Sequence, residues 1–340
     1  MIYVVLCFLA ISFLLYVILA GADFGAGILE LFSSKKNQDI TKKTVYRVMG
    51  PVWEANHIWI ILMIVILWIA FPKYYNVLMV YLHIPLTLVL LGITLRGVAF
   101  VFRHYDAFKD KSQQVYDWMF RISSLLTPIF LGLTFGACLS GRIIIGADNM
   151  QFSFQELYIN AWFNTFSILI GIFFAALCAF LASVLLIGEA DKSNRPVYVR
   201  KALISTAFVV FVGFIVLAVG YTDTNGFVKT FFANNYAILV AAISAILLIP
   251  LWWCIKNEKR VLSRLLAGFQ VVFILFVPIV THYPNLLFTN KGVLSITDNI
   301  AVPAVINVLG ISLLIGGLII LPGLFHLFKS FKMIKILERD

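Results

Sequence analysis

Apolar residues in this chain do not recur at the intervals of a half-buried strand or an amphipathic helix. They run in unbroken blocks, separated by short polar breaks. Nine blocks stand out: 2–32, 52–71, 75–102, 119–145, 160–187, 201–221, 234–255, 263–282 and 301–328. Each is long enough for a helix to cross a hydrocarbon core of about 30 Å. Lipid offers no partner to a backbone amide, so a spanning segment must satisfy its hydrogen bonds internally. No block alternates as a barrel strand does. The pattern predicts an all-α polytopic membrane protein, with residues 1–340 forming a single integral membrane domain.

The basic residues then predict orientation. The connections after the first, third, fifth and seventh blocks, and the C-terminal tail, each hold four or five Lys or Arg. The alternate connections hold one each: Lys73, Arg142, Lys229 and Lys291. Lys and Arg are retained on the cytoplasmic side, so the N-terminus is expected outside and the C-terminus inside. The formal net charge of +10 is accounted for by this bias and by attraction to anionic lipid, with no nucleic acid required. Composition agrees: 62% of residues are hydrophobic and 12% charged, about half the charge of a soluble domain. The first block has no basic leader and no small-residue cleavage site, and is expected to be a retained helix. Cys7, Cys138, Cys178 and Cys254 lie within apolar blocks and read as small core residues.

Charges inside apolar blocks change the picture. Asp23 sits within Gly21-Ala22-Asp23-Phe24-Gly25-Ala26-Gly27, Glu54 within Gly50-Pro51-Val52-Trp53-Glu54-Ala55-Asn56-His57-Ile58-Trp59, and Arg96 in the third block. A carboxylate at mid-membrane costs about 2.5–3.5 kcal/mol on insertion scales, so something must compensate for it. The topology puts Asp23 about 13 Å from the inner end of its helix at 1.5 Å per residue. Glu54 falls in the first turn of the second helix. Together the three charges suggest a polar inlet open to the cytoplasm. Blander readings exist for each: Glu54 stabilised by the helix dipole, Arg96 snorkelling to the interface, and Asp23 in a plain structural pair with Arg96.

Among five histidines, only His57 is placed for a proton relay, three residues after Glu54 on one helical face. His83, His104, His282 and His326 are isolated. Gly21-xxx-Gly25 and Gly132-xxx-Gly136 read as close helix-packing sites. Trp53, Trp68, Trp118, Trp162, Trp252 and Trp253 fit an interfacial belt, with Trp59 a mid-span exception.

These residues bring out a family. The chain resembles subunit II of the cytochrome bd-type quinol oxidases, including the cyanide-insensitive branch. The family motif Asp-Gly-Phe-Asp-x-Gly-x-Gly stands here as Ala20 to Gly27, and Pro-x-Trp-Asp-Gly-Asn-x-x-Trp as Pro51 to Trp59. Phe71-Pro72, Tyr75, Arg96-Gly97-Val98-Ala99-Phe100, Asp117-Trp118, Pro128, Gly132, Phe135-Gly136 and Gly141 follow in order. Ala20 and Ala22 replace an acid and an aromatic, Glu54 replaces Asp, Ala55 replaces Gly and Gly97 replaces Pro, which marks a divergent member.

The resemblance implies nine transmembrane helices in two four-helix bundles plus one peripheral helix, in a bacterial cell (inner) membrane. It implies a heterodimer with a haem-bearing subunit I, and leaves room for a small single-helix accessory subunit. Subunit I would hold two b-type haems and a d-type (or b-type) haem, with quinol and dioxygen as substrates of the complex. This chain would bind no haem or metal itself. It would stabilise subunit I and supply a cytoplasmic proton route through Asp23, Glu54 and His57, organised by Trp53, Asn56, Trp59 and Arg96. A proton-coupled secondary transporter is the alternative, since intramembrane carboxylates and glycine-interrupted helices also mark carriers.

Overall fold

The computed structural model describes residues 1–34, 38, 41–42, 44–46, 53–105, 111–146, 151–190, 193–223 and 227–330. Helix α1 (Ile2–Leu15) passes through a π-helical turn, Tyr16–Ala20, into α2 (Gly21–Leu31), and the three make one continuous 30-residue span. There follow α3 (Trp53–Asn56), α4 (Ile58–Ala70), α5 (Pro72–Tyr81), α6 (His83–Tyr105) and α7 (Ser112–Ser140). The second half holds α8 (Phe154–Tyr158), α9 (Thr165–Glu189), α10 (Arg195–Asp223), α11 (Phe227–Ala233), α12 (Asn235–Lys256) and α13 (Arg260–His282). A hairpin, β1 (Asn285–Thr289) and β2 (Gly292–Ser295), precedes α14 (Pro303–Ser330). Eight helices among the described residues are long and apolar enough to cross a membrane.

The second and third blocks depart from expectation. Glu54–Ala70 and Pro72–Tyr81 together pass as a membrane-length pair but are bent by 117°. Phe71 leaves helical geometry (φ −129°, ψ 58°), and Pro72 opens a new helix where its missing N–H costs nothing. Leu82 breaks the backbone again, so the expected span 75–102 is a short helix followed by α6. Other boundaries move as well, and two of them are set by caps. The Asn164 side chain accepts the Ser167 amide to open α9, in place of a start at 160. Gly141, in the left-handed region at φ 72°, closes α7 in place of an end at 145.

Packing divides the helices into two groups that meet at α9. The first comprises α1–α2, α4, α6 and α7; the second comprises α9, α10, α12 and α13, with α9 also packed on α2 and α7. The last long helix, α14, leans on α1 and α4. Lipid gives no hydrophobic drive for helices to associate, so small residues that bring backbones together matter most. Gly132 and Gly136 of α7 meet Gly171 and Ser167 of α9 so closely that a Cβ on either would fall 2.7 Å from the facing Cα.

The hairpin end is closed by main-chain pairing. Asn290 donates its amide to the Ile143 carbonyl, and its side chain accepts the Ile145 amide. Nearby, Ser153 and Glu156 form a reciprocal capping box at α8. The Ser153 amide and hydroxyl both donate to Glu156 and hold its carboxyl below the ordinary range. Trp162 is not part of a lipid-facing belt: it is buried, and its indole N–H donates to the Tyr158 carbonyl.

Candidate functional site

The glycines around Asp23 explain how a carboxylate comes to rest deep in this fold. A Cβ at Gly25 would collide with the Cys178 carbonyl, so this glycine admits the backbone of α9. A Cβ at Gly27 would collide with the Ser124 side chain, so this one admits α7. Helices close in from both sides, and Asp23 is left fully buried.

Its compensation is Arg96. The guanidinium Nη1 donates to Asp23 Oδ2 at 2.6 Å and Nη2 to Oδ1 at 2.8 Å. Nη2 also reaches the Asp23 carbonyl at 3.0 Å, and Nε donates to Ser124 Oγ at 3.0 Å. Arg96 is 1% exposed, so it does not snorkel to an interface. Dehydrating two ions costs several kcal/mol each, and only near-ideal geometry with further hydrogen bonds offsets this. The bidentate fork provides such geometry.

A second rung lies one heptad further along, which the sequence reading missed. Glu30, fully buried, accepts through Oε1 from Arg103 and, at 2.8 Å, from Arg121 Nε. Arg103 Nε also stands 2.6 Å from Asp117 Oδ1, to which Lys42 donates at 2.7 Å. Lys201 donates to Ser33 Oγ at 2.6 Å and to Thr41 Oγ1 at 3.3 Å. The signal was present: Asp23 and Glu30 are seven residues apart, as are Arg96 and Arg103. Phe120 separates the rungs, with both guanidinium carbons within 5 Å of its ring centre (4.8 Å for Arg96, 4.6 Å for Arg103).

The expected single inlet is not what the fold builds. Glu54 is exposed and no ion pair joins it to Asp23 or Arg96 among the described residues. His57 is a one-residue turn between α3 and α4 that keeps right-handed helical dihedrals (φ −80°, ψ −11°), and its amide donates to the Glu54 carbonyl at 3.1 Å. His57 turns inward, between the rings of Tyr16 (6.1 Å) and Phe24 (6.0 Å). Asn56 and Trp59 are buried, and the side chain of Trp53 lies outside the described residues. Four expected residues, Asp23, Arg96, His57 and Trp59, therefore gather around α2, while Glu54 stands at the rim.

The other histidines are otherwise engaged or peripheral. His282 stacks on Phe227 at 4.4 Å, and its Nε2 is 3.1 Å from the Phe227 carbonyl. His83 and His326 are exposed, and the side chain of His104 lies outside the described residues. Among the described residues no three His, Cys, Asp or Glu side chains are grouped to hold a metal ion.

A multi-helix membrane protein with a buried Arg–carboxylate ladder is the class this fold and site define, and comparison with known proteins places it. The family model described as cytochrome bd terminal oxidase subunit II matches residues 1–331, and the chain belongs to that family. It is 29% identical over 216 residues to cytochrome bd ubiquinol oxidase subunit 2 of Bacillus subtilis (strain 168). That match covers 63% of this chain and 62% of the relative, less than two thirds of its length. A second protein of that organism, a putative cytochrome bd menaquinol oxidase subunit II, is 23% identical over 327 residues, covering 93% of this chain and 91% of its own. A chain of the bd oxidase structure from Geobacillus thermodenitrificans superposes with a TM-score of 0.76 at 17% identity, covering 97% of this chain and 98% of that one. The fold is thus that of a bd oxidase chain in a multi-pass membrane protein of the bacterial inner membrane. Membership of this family displaces the carrier reading.

Proposed function

We propose that this chain is the non-haem subunit II of a bd-type terminal oxidase, paired with a haem-bearing subunit I that reduces dioxygen to water with quinol. The observation that carries this reading is the family match along residues 1–331. The haems would reside in subunit I. A small accessory subunit is compatible with the long exposed apolar face of α14. The charge bias of the loops supports a cytoplasmic C-terminus, which would put the Glu30 rung toward the cytoplasmic side.

Within that complex the chain would do two things. It would brace subunit I with a bundle locked by the Asp23–Arg96 and Glu30–Arg103 pairs. It would also offer a proton route in which the roles are divided. Glu54, exposed at the rim, would collect protons. His57, partly buried, would pass them inward. Asp23, fixed by Arg96, would hold the field that draws a proton in.

The test is to purify the tagged chain from its own membranes in mild detergent and record co-eluting proteins, a reduced-minus-oxidised spectrum and quinol oxidation. A stoichiometric haem-bearing partner with quinol oxidase activity supports the assignment; a lone, colourless chain overturns it. Glu54→Gln and His57→Asn then address the route. Slower turnover with full haem content supports it, and unchanged turnover in both removes it.

A further inference from the structure

Three buried polar atoms, on the π-helical turn, at the α3–α4 junction and on α4, have no hydrogen-bond partner among the described residues: the Tyr16 hydroxyl, His57 Nδ1 and Trp59 Nε1. Tyr16 and Trp59 are 3% and 6% exposed and belong to one apolar cluster with Ala20 and Phe24. The Tyr16 and Phe24 rings flank His57, and Phe24 in turn lies under the Arg96 guanidinium at 5.3 Å. The cluster is therefore one ring away from the Asp23–Arg96 pair. Buried polar atoms are rarely left unmatched, and π-helical turns tend to occur at functional sites.

The chemistry of the three atoms is complementary. An indole N–H only donates, a phenol hydroxyl donates and accepts, and an imidazole nitrogen does either according to tautomer. A water molecule needs two to four such partners to be held internally. Ala20, where the first family motif carries an acid, is fully buried in this cluster and adds no polar atom of its own. We propose that Tyr16, His57 and Trp59 enclose an internal water-binding site, and that its water carries protons between His57 and the Tyr16 hydroxyl on the way to the Asp23–Arg96 pair. No covalent step is involved; each transfer passes one proton along a hydrogen bond and leaves the water restored. The inference rests on the proton-route reading above and names the element that route lacks.

The experiment uses the intact oxidase complex, imaged at a resolution that shows ordered water, alongside Tyr16→Phe and Trp59→Phe complexes of verified haem content. The expected result is a water peak about 3 Å from at least two of the three atoms. Tyr16→Phe should lose that peak and slow oxygen consumption roughly tenfold, the rate equivalent of one lost hydrogen bond. Trp59→Phe, which keeps an aromatic ring in place, should weaken the peak if Tyr16→Phe fails to assemble. A dry site in which the three atoms pair directly overturns the proposal, as does full turnover in Tyr16→Phe. Asp23→Asn and Glu54→Gln separate the two readings. Lost turnover in these variants with a dry wild-type site removes only the hydration site, whereas full turnover in both removes the route itself.

Discussion

Asp23 and Arg96 meet through both carboxylate oxygens, and the same register recurs between Glu30 and Arg103. Each pair spans 73 residues of sequence. A constant offset requires α2 and α6 to run parallel, because seven residues along one helix are matched by seven along the other. At 1.5 Å per residue the rungs are about 10.5 Å apart. This ladder ties the first long span to the third, and α7 closes it from the side through Ser124, Phe120 and Arg121.

Breaking one rung should cost more than removing it. Asp23→Leu or Arg96→Leu alone strands a buried charge and should destabilise the complex by about 3–5 kcal/mol. The double variant, with neither charge, should recover most of that loss. Thermal stability and haem retention across the four-member cycle measure the coupling; an additive double variant would show that the pair does not interact.

Phe120 should lose stability in two steps, first with its ring contacts and then with its volume. Phe120→Leu keeps most of the bulk but removes both cation–π contacts, each worth about 0.5–2 kcal/mol according to desolvation. Phe120→Ala adds a cavity and should cost about 3–5 kcal/mol. Denaturation of the two variants in detergent should rank them in that order, with wild type the most stable.

Gly25 and Gly27 should differ in their rescue. Gly27→Ala meets a side chain, so Ser124→Gly should restore much of the assembly it loses. Gly25→Ala meets the Cys178 carbonyl, and Cys178→Ala should restore nothing because the obstacle is backbone. Co-purification with the partner subunit reads both pairs, and rescue of Gly25→Ala would refute the backbone-contact account.

The α8 cap should be acid-labile. Hydrogen bonds from Ser153 lower the folded-state pKa of Glu156 below its unfolded value. Its stabilising contribution is therefore complete above the unfolded value, about 4.3, and is lost as pH falls through the folded one. The protection of the Leu157 amide, which bonds to the Ser153 carbonyl, measured relative to its intrinsic exchange rate at each pH, should fall over that interval. Ser153→Ala should remove the pH dependence.

Much of the architecture was readable in one dimension. Block length and loop charge located the long helices, since crossing lipid demands an apolar run whatever its neighbours. Gly132 and Gly136 announced a close helix contact for a similarly local reason. Asp23 and Arg96 were marked as suspicious by cost alone. Glu30 escaped notice because it stands one residue before the end of its helix, where an acid looks unremarkable. Its complete burial depends on Arg103, Arg121 and the approach of α7.

The sequence by itself determined most of the segments long and apolar enough to cross a bilayer, which family the chain resembles and that Asp23 needed a partner. Only the tertiary structure decided that the partner is Arg96, that Glu54 stays at the rim while His57 turns inward, and that a second rung exists. The division has a physical cause. Hydrophobic length is a property of a segment, whereas a side chain's partner depends on how helices distant in sequence are rotated and spaced against one another, here by the close approaches that Gly25 and Gly27 permit around Asp23.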